Sequence, residues 1–437
     1  MNKRLSIPII IGIALLVACS DTEDINSPLE ETNETLIEDN SFNGTILSNV
    51  ITLEEAREEL ELFLKSTCSL TKKGLFNTRI IKNGFTLRSD KQGLTKSLKN
   101  STTPKIHVFN FEDNGGFALM SATREMPSLL AITDGGNIDT NQVIDDPGLI
   151  MFLTNLEGQI KPEPAPDDQE PAYYITKEYG AYKYTLHNPI GGYCKVHWNQ
   201  HTPFNKYCPV KGKDTTIAGC VAVACAQLMS VYKYPASYDG YYYNWSKMIT
   251  DSTNDGISKL IRQLGSKDNL DMDYGVESSS ADPVNIPRTL KRFGYSNGGT
   301  LKNYDKNEIV NEIKNGYCVL LGGFSHKVKQ KVLGITFNTY HTGGHRWLVH
   351  GALTSTRQVT TIKELNNKNR DVQVITSNES THYILCNFGW QDRTCNGYYL
   401  GDVFDTNKNP NYRESFTKSD KDYFYQYNFT MVTGIRK

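Results

Sequence analysis

The chain has 437 residues, of which 38% are hydrophobic and 22% charged, so it holds enough apolar material for a core and too little charge to be disordered throughout. Its length is about three times that of a typical single domain, which predicts two domains or one large domain with a leader. Lys and Arg (47) nearly cancel Asp and Glu (48), and a net charge of −1 offers no footprint for a polyanion, which excludes nucleic acid as the expected partner.

Lys3 and Arg4 precede an uncharged, mostly apolar run over residues 5–18. That run is short for a membrane span and has the length of an export-signal core. It closes on Leu16-Val17-Ala18-Cys19. This ending resembles the lipobox of bacterial lipoproteins. The resemblance implies a signal peptide over residues 1–18, lipidation of Cys19 and an anchor of several acyl chains, where one chain would bind only marginally. Ser20 after the cysteine is compatible with an outer-membrane or cell-surface location, with release after processing as an option. Residues 20–50 hold eight acids and no Lys or Arg, which reads as a flexible acidic tether.

Thr52 and Glu55 have capping-box spacing, and Leu53, Ala56, Leu60, Phe63 and Leu64 recur at helical intervals. Residues 105–111 alternate, Asn114-Gly115-Gly116 is a turn, and residues 117–121 answer it, predicting a hairpin. A short strand over 129–132 and a helix over 146–160 complete an α+β unit spanning 51–160. Four prolines within 161–172 then mark an extended, solvated segment, read with the residues to 185 as a linker open to proteolysis. Residues 186–437 form the second domain.

Four stretches of that domain carry chemistry. In Gly219-Cys220-Val221-Ala222, followed by small and apolar helix formers, a cysteine opening a helix has its thiolate favoured by unpaired N–H groups and the helix dipole. Gly343-Gly344-His345 leads into an alternating strand, where a base is exposed yet firmly held. Cys386-Asn387-Phe388-Gly389-Trp390 ends a strand on an amide that can accept from one imidazole nitrogen and leave the other facing a thiol. The Gln200 side chain in Trp198-Asn199-Gln200, together with the Cys220 backbone N–H, can form an oxyanion hole. Cys225 is out of phase with Cys220 on the helix and is expected in the core. The remaining cysteines of this domain can pair in an exported protein, but spacing does not give connectivity.

The order Gln200…Cys220…His345…Asn387, with separations of 125 residues from Cys220 to His345 and 42 from His345 to Asn387, resembles the streptopain family of papain-fold cysteine peptidases. Residues 219–229 follow that family's nucleophile block closely, 343–345 its Gly-Gly-His block, 387–390 its Asn-aromatic-Gly-Trp block and 199–200 its Asn-Gln block. Residues 107–111, 116–121 and 129–132 resemble its pro-domain. The resemblance implies a papain-like α+β catalytic domain, with the cysteine helix packed on an antiparallel sheet, preceded by an inhibitory α+β pro-domain. It further implies that Cys220 attacks the scissile carbonyl, His345 exchanges the proton, Asn387 orients the imidazole, Gln200 and the Cys220 amide hold the oxyanion, and Trp390 shields the His–Asn contact. Substrates would be proteins or peptides, the pro-domain an intramolecular inhibitor, and no cofactor or metal would be needed. Activation would cut between about 160 and 190, with Lys177 and Lys183 as candidate sites. The chain departs from the pattern at Phe388, at Arg346 and Trp347, where small or apolar residues are common, at His350, and in extra residues near 325–341 and 354–380.

Rival readings are an inactive papain-fold surface-binding lipoprotein and a papain-fold amidase or acyltransferase acting on cell-wall peptide. A zinc site at His341, His345 and His350 is disfavoured, because Gly343-Gly344 interrupts the histidines and neither His-Glu-x-x-His nor Cys-x-x-Cys occurs.

Overall fold

The computed structural model describes residues 35–37, 50–68, 79–88, 104–160, 173–188, 192–324, 331–332, 335–337, 344–365, 371–390, 395–406 and 427–437. The proposed signal peptide and Cys19, most of the acidic tether, the proline-rich stretch 161–172, and His341 with Gly343 lie outside the described residues.

The architecture is α+β. Among the described residues one 13-stranded sheet spans both units. Its catalytic half orders Asn297–Asn303, Asn428–Arg436, Val319–Phe324, Gly344–Leu365, Val372–Asn387 and Gly397–Leu400; its N-terminal half continues with Leu129–Thr133, Phe117–Ser121, Pro104–Phe111 and Ile81–Arg88. The halves meet where Gly397, Tyr398 and Tyr399 pair antiparallel with Thr133, Ile132 and Ala131. The two domains expected from the sequence therefore share one hydrogen-bonded sheet. Each had an edge strand that would otherwise be left unpaired, and pairing the two satisfies both.

In the N-terminal unit the helix Leu53–Cys68 starts where the capping box places it. The Thr52 amide donates to Glu55 Oε2 at 2.7 Å and the Glu55 amide donates to Thr52 Oγ1 at 3.2 Å. Its apolar stripe, Ala56, Leu60 and Phe63, is buried with Phe109 and Leu119 of the sheet. The second helix, Pro147–Gln159, is capped by Asp146, whose carboxylate accepts from the Leu149 amide, and begins on a proline whose missing N–H costs nothing there. Nearly every residue of this helix is buried.

The catalytic half of the sheet is covered on both faces, which its alternation requires. Leu320, Leu348 and Val432 pack with the helix Cys220–Tyr232, whereas Leu321, Trp347 and Met431 pack with Leu149, Met151 and Phe152 of the second helix.

Two stretches depart from the sequence reading. Residues 173–179 and 183–187, expected as solvated linker, are strands that pair with Val359–Leu365 and with Ala352–Thr356, extending the ladder where Val319–Phe324 stops. Thr35–Ile37, within the expected tether, pairs with Val372, Gln373 and Val374. The insertion near 354–380 explains both. It forms a long hairpin arm, Gly344–Leu365 with Val372–Asn387, whose open edges take up β-branched and aromatic segments such as Tyr173-Tyr174-Ile175-Thr176.

Candidate active site

The cysteine helix, Cys220–Tyr232, opens from Gly219, which holds φ 84°. A Cβ there would lie 2.8 Å from Met272 Sδ, so both the backbone conformation and the space demand glycine. Ala222, Ala224 and Ala226 are buried and let the helix lie close to the sheet. Cys220 stands in the first turn, half-buried and not bridged. Burial outweighs the other influences and leaves its thiol pKa raised above the ordinary value, although backbone N–H groups of Arg346, Val221 and Cys220 itself and the Arg346 charge pull it down. Cys225 is fully buried, as expected, and burial pushes its thiol up to about 12. All seven described cysteines of the second domain are free.

Gln200 is buried, and its carbonyl accepts from the Ala218 amide at 2.9 Å, which fixes it beside the start of the cysteine helix. Gly344–Leu365 carries His345 at its second position, opposite Gly323 of the neighbouring strand. The ring stacks 5.9 Å from Trp347 at 22°, and Trp390 meets it edge-on at 6.0 Å. Trp390 is itself buried.

The partners of these groups differ from the expected relay. His345 Nε2 lies 2.7 Å from the Phe388 carbonyl oxygen. The Asn387 amide is engaged elsewhere: Nδ2 donates to Val196 O at 2.9 Å and to Cys194 Sγ at 3.7 Å, while Oδ1 accepts from Gln227 Nε2 at 3.0 Å, the Gly389 amide at 3.1 Å and Asn396 Nδ2 at 3.3 Å. In this conformation Asn387 ties the cysteine helix to the turn at 387–389 and does not bond the imidazole. Nor is the imidazole among the hydrogen-bond partners of the Cys220 sulfur. The strand pleat is the reason: alternation puts His345 on the face of Trp347, toward the second helix, and Arg346 on the face of Leu348, toward the cysteine helix.

That second helix reaches the same place. A Cβ on Gly148 would lie 2.0 Å from Phe388 Cδ1, so this helix rests on the residue whose carbonyl holds the imidazole. His350 is buried, accepts from the Cys194 amide through Nδ1 at 3.0 Å, and is kept neutral by burial, which lowers its pKa to about 3. It is a structural histidine. Among the described residues no group of three or more His, Cys, Asp or Glu is placed to hold a metal ion.

Residues 198–399 match the model of the Peptidase C10 family. The chain carries a Peptidase C10 domain. Residues 48–160, the N-terminal unit with both of its helices, match the Spi protease inhibitor model. Streptopain from Streptococcus pyogenes is 25% identical over 301 residues, which is 59% of this chain and 72% of that protein, and streptopain from serotype M1 gives the same figures. Among solved structures, a mutant fragment of Prevotella intermedia prointerpain A aligns with a TM-score of 0.46 at 19% identity, over 80% of this chain and 98% of that one. Active interpain A from the same organism aligns with a TM-score of 0.37 at 20% identity, over 58% and 96%. A C10 domain of this kind is a cysteine endopeptidase, and here it stands behind an inhibitor-type pro-domain.

Two residues of the C10 domain site were not singled out from sequence: Gln227 and Asn396 hold the Asn387 amide. Phe388 was noted only as a departure from the family pattern, whereas its carbonyl supplies the acceptor for His345. A glutamine within an otherwise apolar helix run was the one available signal, since a buried amide needs partners. The role of a backbone carbonyl leaves no trace in residue type.

Proposed function

We propose that this chain is the zymogen of an exported, lipid-anchored cysteine endopeptidase, held inactive by its own residues 51–160. The observation that carries the reading is the pairing of a half-buried free thiol at a helix start with a buried imidazole one residue from the amide that this thiol accepts from. The pro-helix Pro147–Gln159 rests on Phe388 and favours the conformation in which the His345 ring is held by the Phe388 carbonyl. Once the pro-domain leaves, a turn of the His345 side chain brings the ring to Cys220.

The thiolate then attacks the scissile carbonyl carbon, forming a C–S bond and an oxyanion that the Gln200 amide and the Cys220 N–H stabilise. The imidazolium gives its proton to the departing amine as the C–N bond breaks. Water attacks the thioester, the imidazole takes its proton, and the thiol is regenerated. Cys19 would carry the lipid that retains the enzyme at the cell surface.

The test is incubation of the purified chain with casein, with and without an epoxide-type thiol inhibitor and beside a Cys220→Ala variant. Hydrolysis that requires Cys220 and is blocked by the epoxide supports the reading. Silence on casein with turnover of cell-wall peptide selects the amidase reading instead, and no turnover of either selects a binding protein. Metabolic labelling with a radioactive fatty acid, lost in Cys19→Ala, tests the anchor.

A further inference from the structure

The two units are built from contacts of opposite kinds. In the N-terminal unit Ile81–Arg88, Pro104–Phe111, Phe117–Ser121 and Leu129–Thr133 each pair with the next strand in the chain. Such a unit closes only short loops before its contacts form. In the catalytic half Val319–Phe324 pairs with Gly344–Leu365 on one side, and its residues 320–324 pair with 428–432 on the other. That ladder joins segments distant in sequence, so most of the ordering cost falls before any contact offsets it.

The apolar residues form two cores. One, around Leu228, Met229, Leu320 and Val432, is built wholly from residues 194 onward. The other is a single cluster from Phe63 and Phe109 of the N-terminal unit through Leu149 and Phe152 to Trp347, Phe404 and Met431. The catalytic half supplies one helix to this shared core, Lys306–Lys314, through Ile309, Val310 and Ile313. Leu53–Cys68 and Pro147–Gln159 come from the N-terminal unit. Pro147–Gln159 touches the catalytic half at points far apart in its sequence. A Cβ on Gly323 would lie 3.1 Å from Met151 Sδ, and the Phe152 ring stands 4.8 Å from that of Tyr399 and 5.6 Å from that of Phe404. Gln159 Nε2 donates to Val403 O at 3.2 Å. The Asn155 amide exchanges two hydrogen bonds, of 3.4 and 3.5 Å, with the Tyr427 backbone. Phe152, Tyr399 and Phe404 are fully buried. This is the packing of a domain interior and not the more polar contact between separately folded domains.

We propose that residues 51–160 have a second function, as the folding template of the catalytic half. The locally built unit forms first and presents an apolar helix together with the open edge of Leu129–Thr133. Gly397–Tyr399 adds to that edge, and the distant strands settle on the helix with their loop-closure cost reduced. A catalytic half without this template holds a bare apolar face, which favours collapsed and aggregating states over the native one. The role is independent of the chemistry at Cys220. It also makes the mature enzyme unable to regain its fold once unfolded.

The experiment uses the full chain with Cys220→Ala, which removes the proposed nucleophile, and with a site for a sequence-specific protease placed within residues 161–172. The uncut chain is unfolded in urea, diluted, and followed by far-UV circular dichroism and gel filtration; it is expected to recover. After cutting, the fragments are separated in urea. The C-terminal fragment diluted alone is expected to stay expanded and bind an apolar dye, and to recover when the N-terminal fragment is diluted with it. Recovery of the C-terminal fragment alone at the rate of the uncut chain overturns the proposal, and so does failure of the two fragments together. A second measurement needs no cut. Phe152→Ala in the uncut chain is expected to slow refolding about tenfold or more, with a smaller change in the unfolding rate. An effect confined to the unfolding rate overturns the proposal as well.

Discussion

Gly148 lies against the ring of Phe388 so closely that a single added methyl would sit 2.0 Å from Cδ1. Through this contact the pro-helix bears on the residue whose carbonyl lies 2.7 Å from His345 Nε2. Pro-domain docking and histidine position are thereby linked by two neighbouring contacts.

Gly148→Ala should loosen that docking. Over-packing a filled site costs about 1–3 kcal/mol, and here the helix can relieve it by lifting off the sheet. The expected outcome is a lower thermal midpoint for the zymogen and faster conversion to the mature form at equal concentration, followed by gel electrophoresis over time. Conversion at the parental rate would show that the contact does not govern docking.

The cap of the same helix is pH-sensitive. Asp146 is buried, one oxygen accepting from the Leu149 amide and the other without a partner, and burial raises its pKa from 3.8 to about 7. The folded state therefore binds this proton more tightly than the unfolded chain does. Its contribution to stability is complete below 3.8, declines as pH rises toward 7 and is lost above it. Thermal midpoints of a Cys220→Ala zymogen between pH 4 and 8 should fall with rising pH. Asp146→Asn should flatten that component, since the amide oxygen still caps the helix and no proton is exchanged.

Arg357 pins the segment 173–187, where activation cleavage is expected. Its guanidinium lies 4.0 Å from the ring centre of Tyr179 and 4.7 Å from that of Tyr182, and pairs with Glu379 at 3.1 Å. Lys177 and Lys183 flank these tyrosines on ladder-paired strands, and a protease must peel such a strand away before cutting it. Cation–π contacts of this kind are worth about 0.5–2 kcal/mol. Arg357→Ala should speed limited trypsin cleavage at Lys177 and Lys183 severalfold, read by N-terminal sequencing of the products. An unchanged rate would place the control of cleavage elsewhere on the arm.

Asn387→Ala should be mainly a stability lesion in the zymogen. It removes five hydrogen bonds and leaves the Val196 carbonyl and the Gln227 amide buried without that partner. Unmet buried groups cost about 1–3 kcal/mol each, so a loss of about 3 kcal/mol by denaturant titration is expected. A variant with parental stability would mean that water replaces the amide.

The local elements were legible in the chain because local chemistry sets them. Thr52 and Glu55 announce the first helix, Asn114-Gly115-Gly116 turns the hairpin, and Gly219 before Cys220 starts the cysteine helix. Cys220, His345 and Trp390 were named as candidate nucleophile, base and shield from residue type, order and the resemblance those carried. The hydrogen-bond partners were not. Asn387 and His345 each have a side chain able to bond the other, and which acceptor wins depends on the pleat of one strand and on a helix more than 190 residues earlier in the chain.

Residue types, their order and the resemblance these carry pointed to the α+β class, to two units and to Cys220, His345, Asn387, Gln200 and Trp390 as the groups to watch. Tertiary structure alone decided that the two units share a sheet, that the segment after the proline-rich stretch is clamped on a hairpin arm, and that the His345 imidazole meets the Phe388 carbonyl and not the Asn387 amide. The physical reason is that a side chain's direction follows from alternation along a strand counted from its true starting residue, and that start is set by partners distant in sequence.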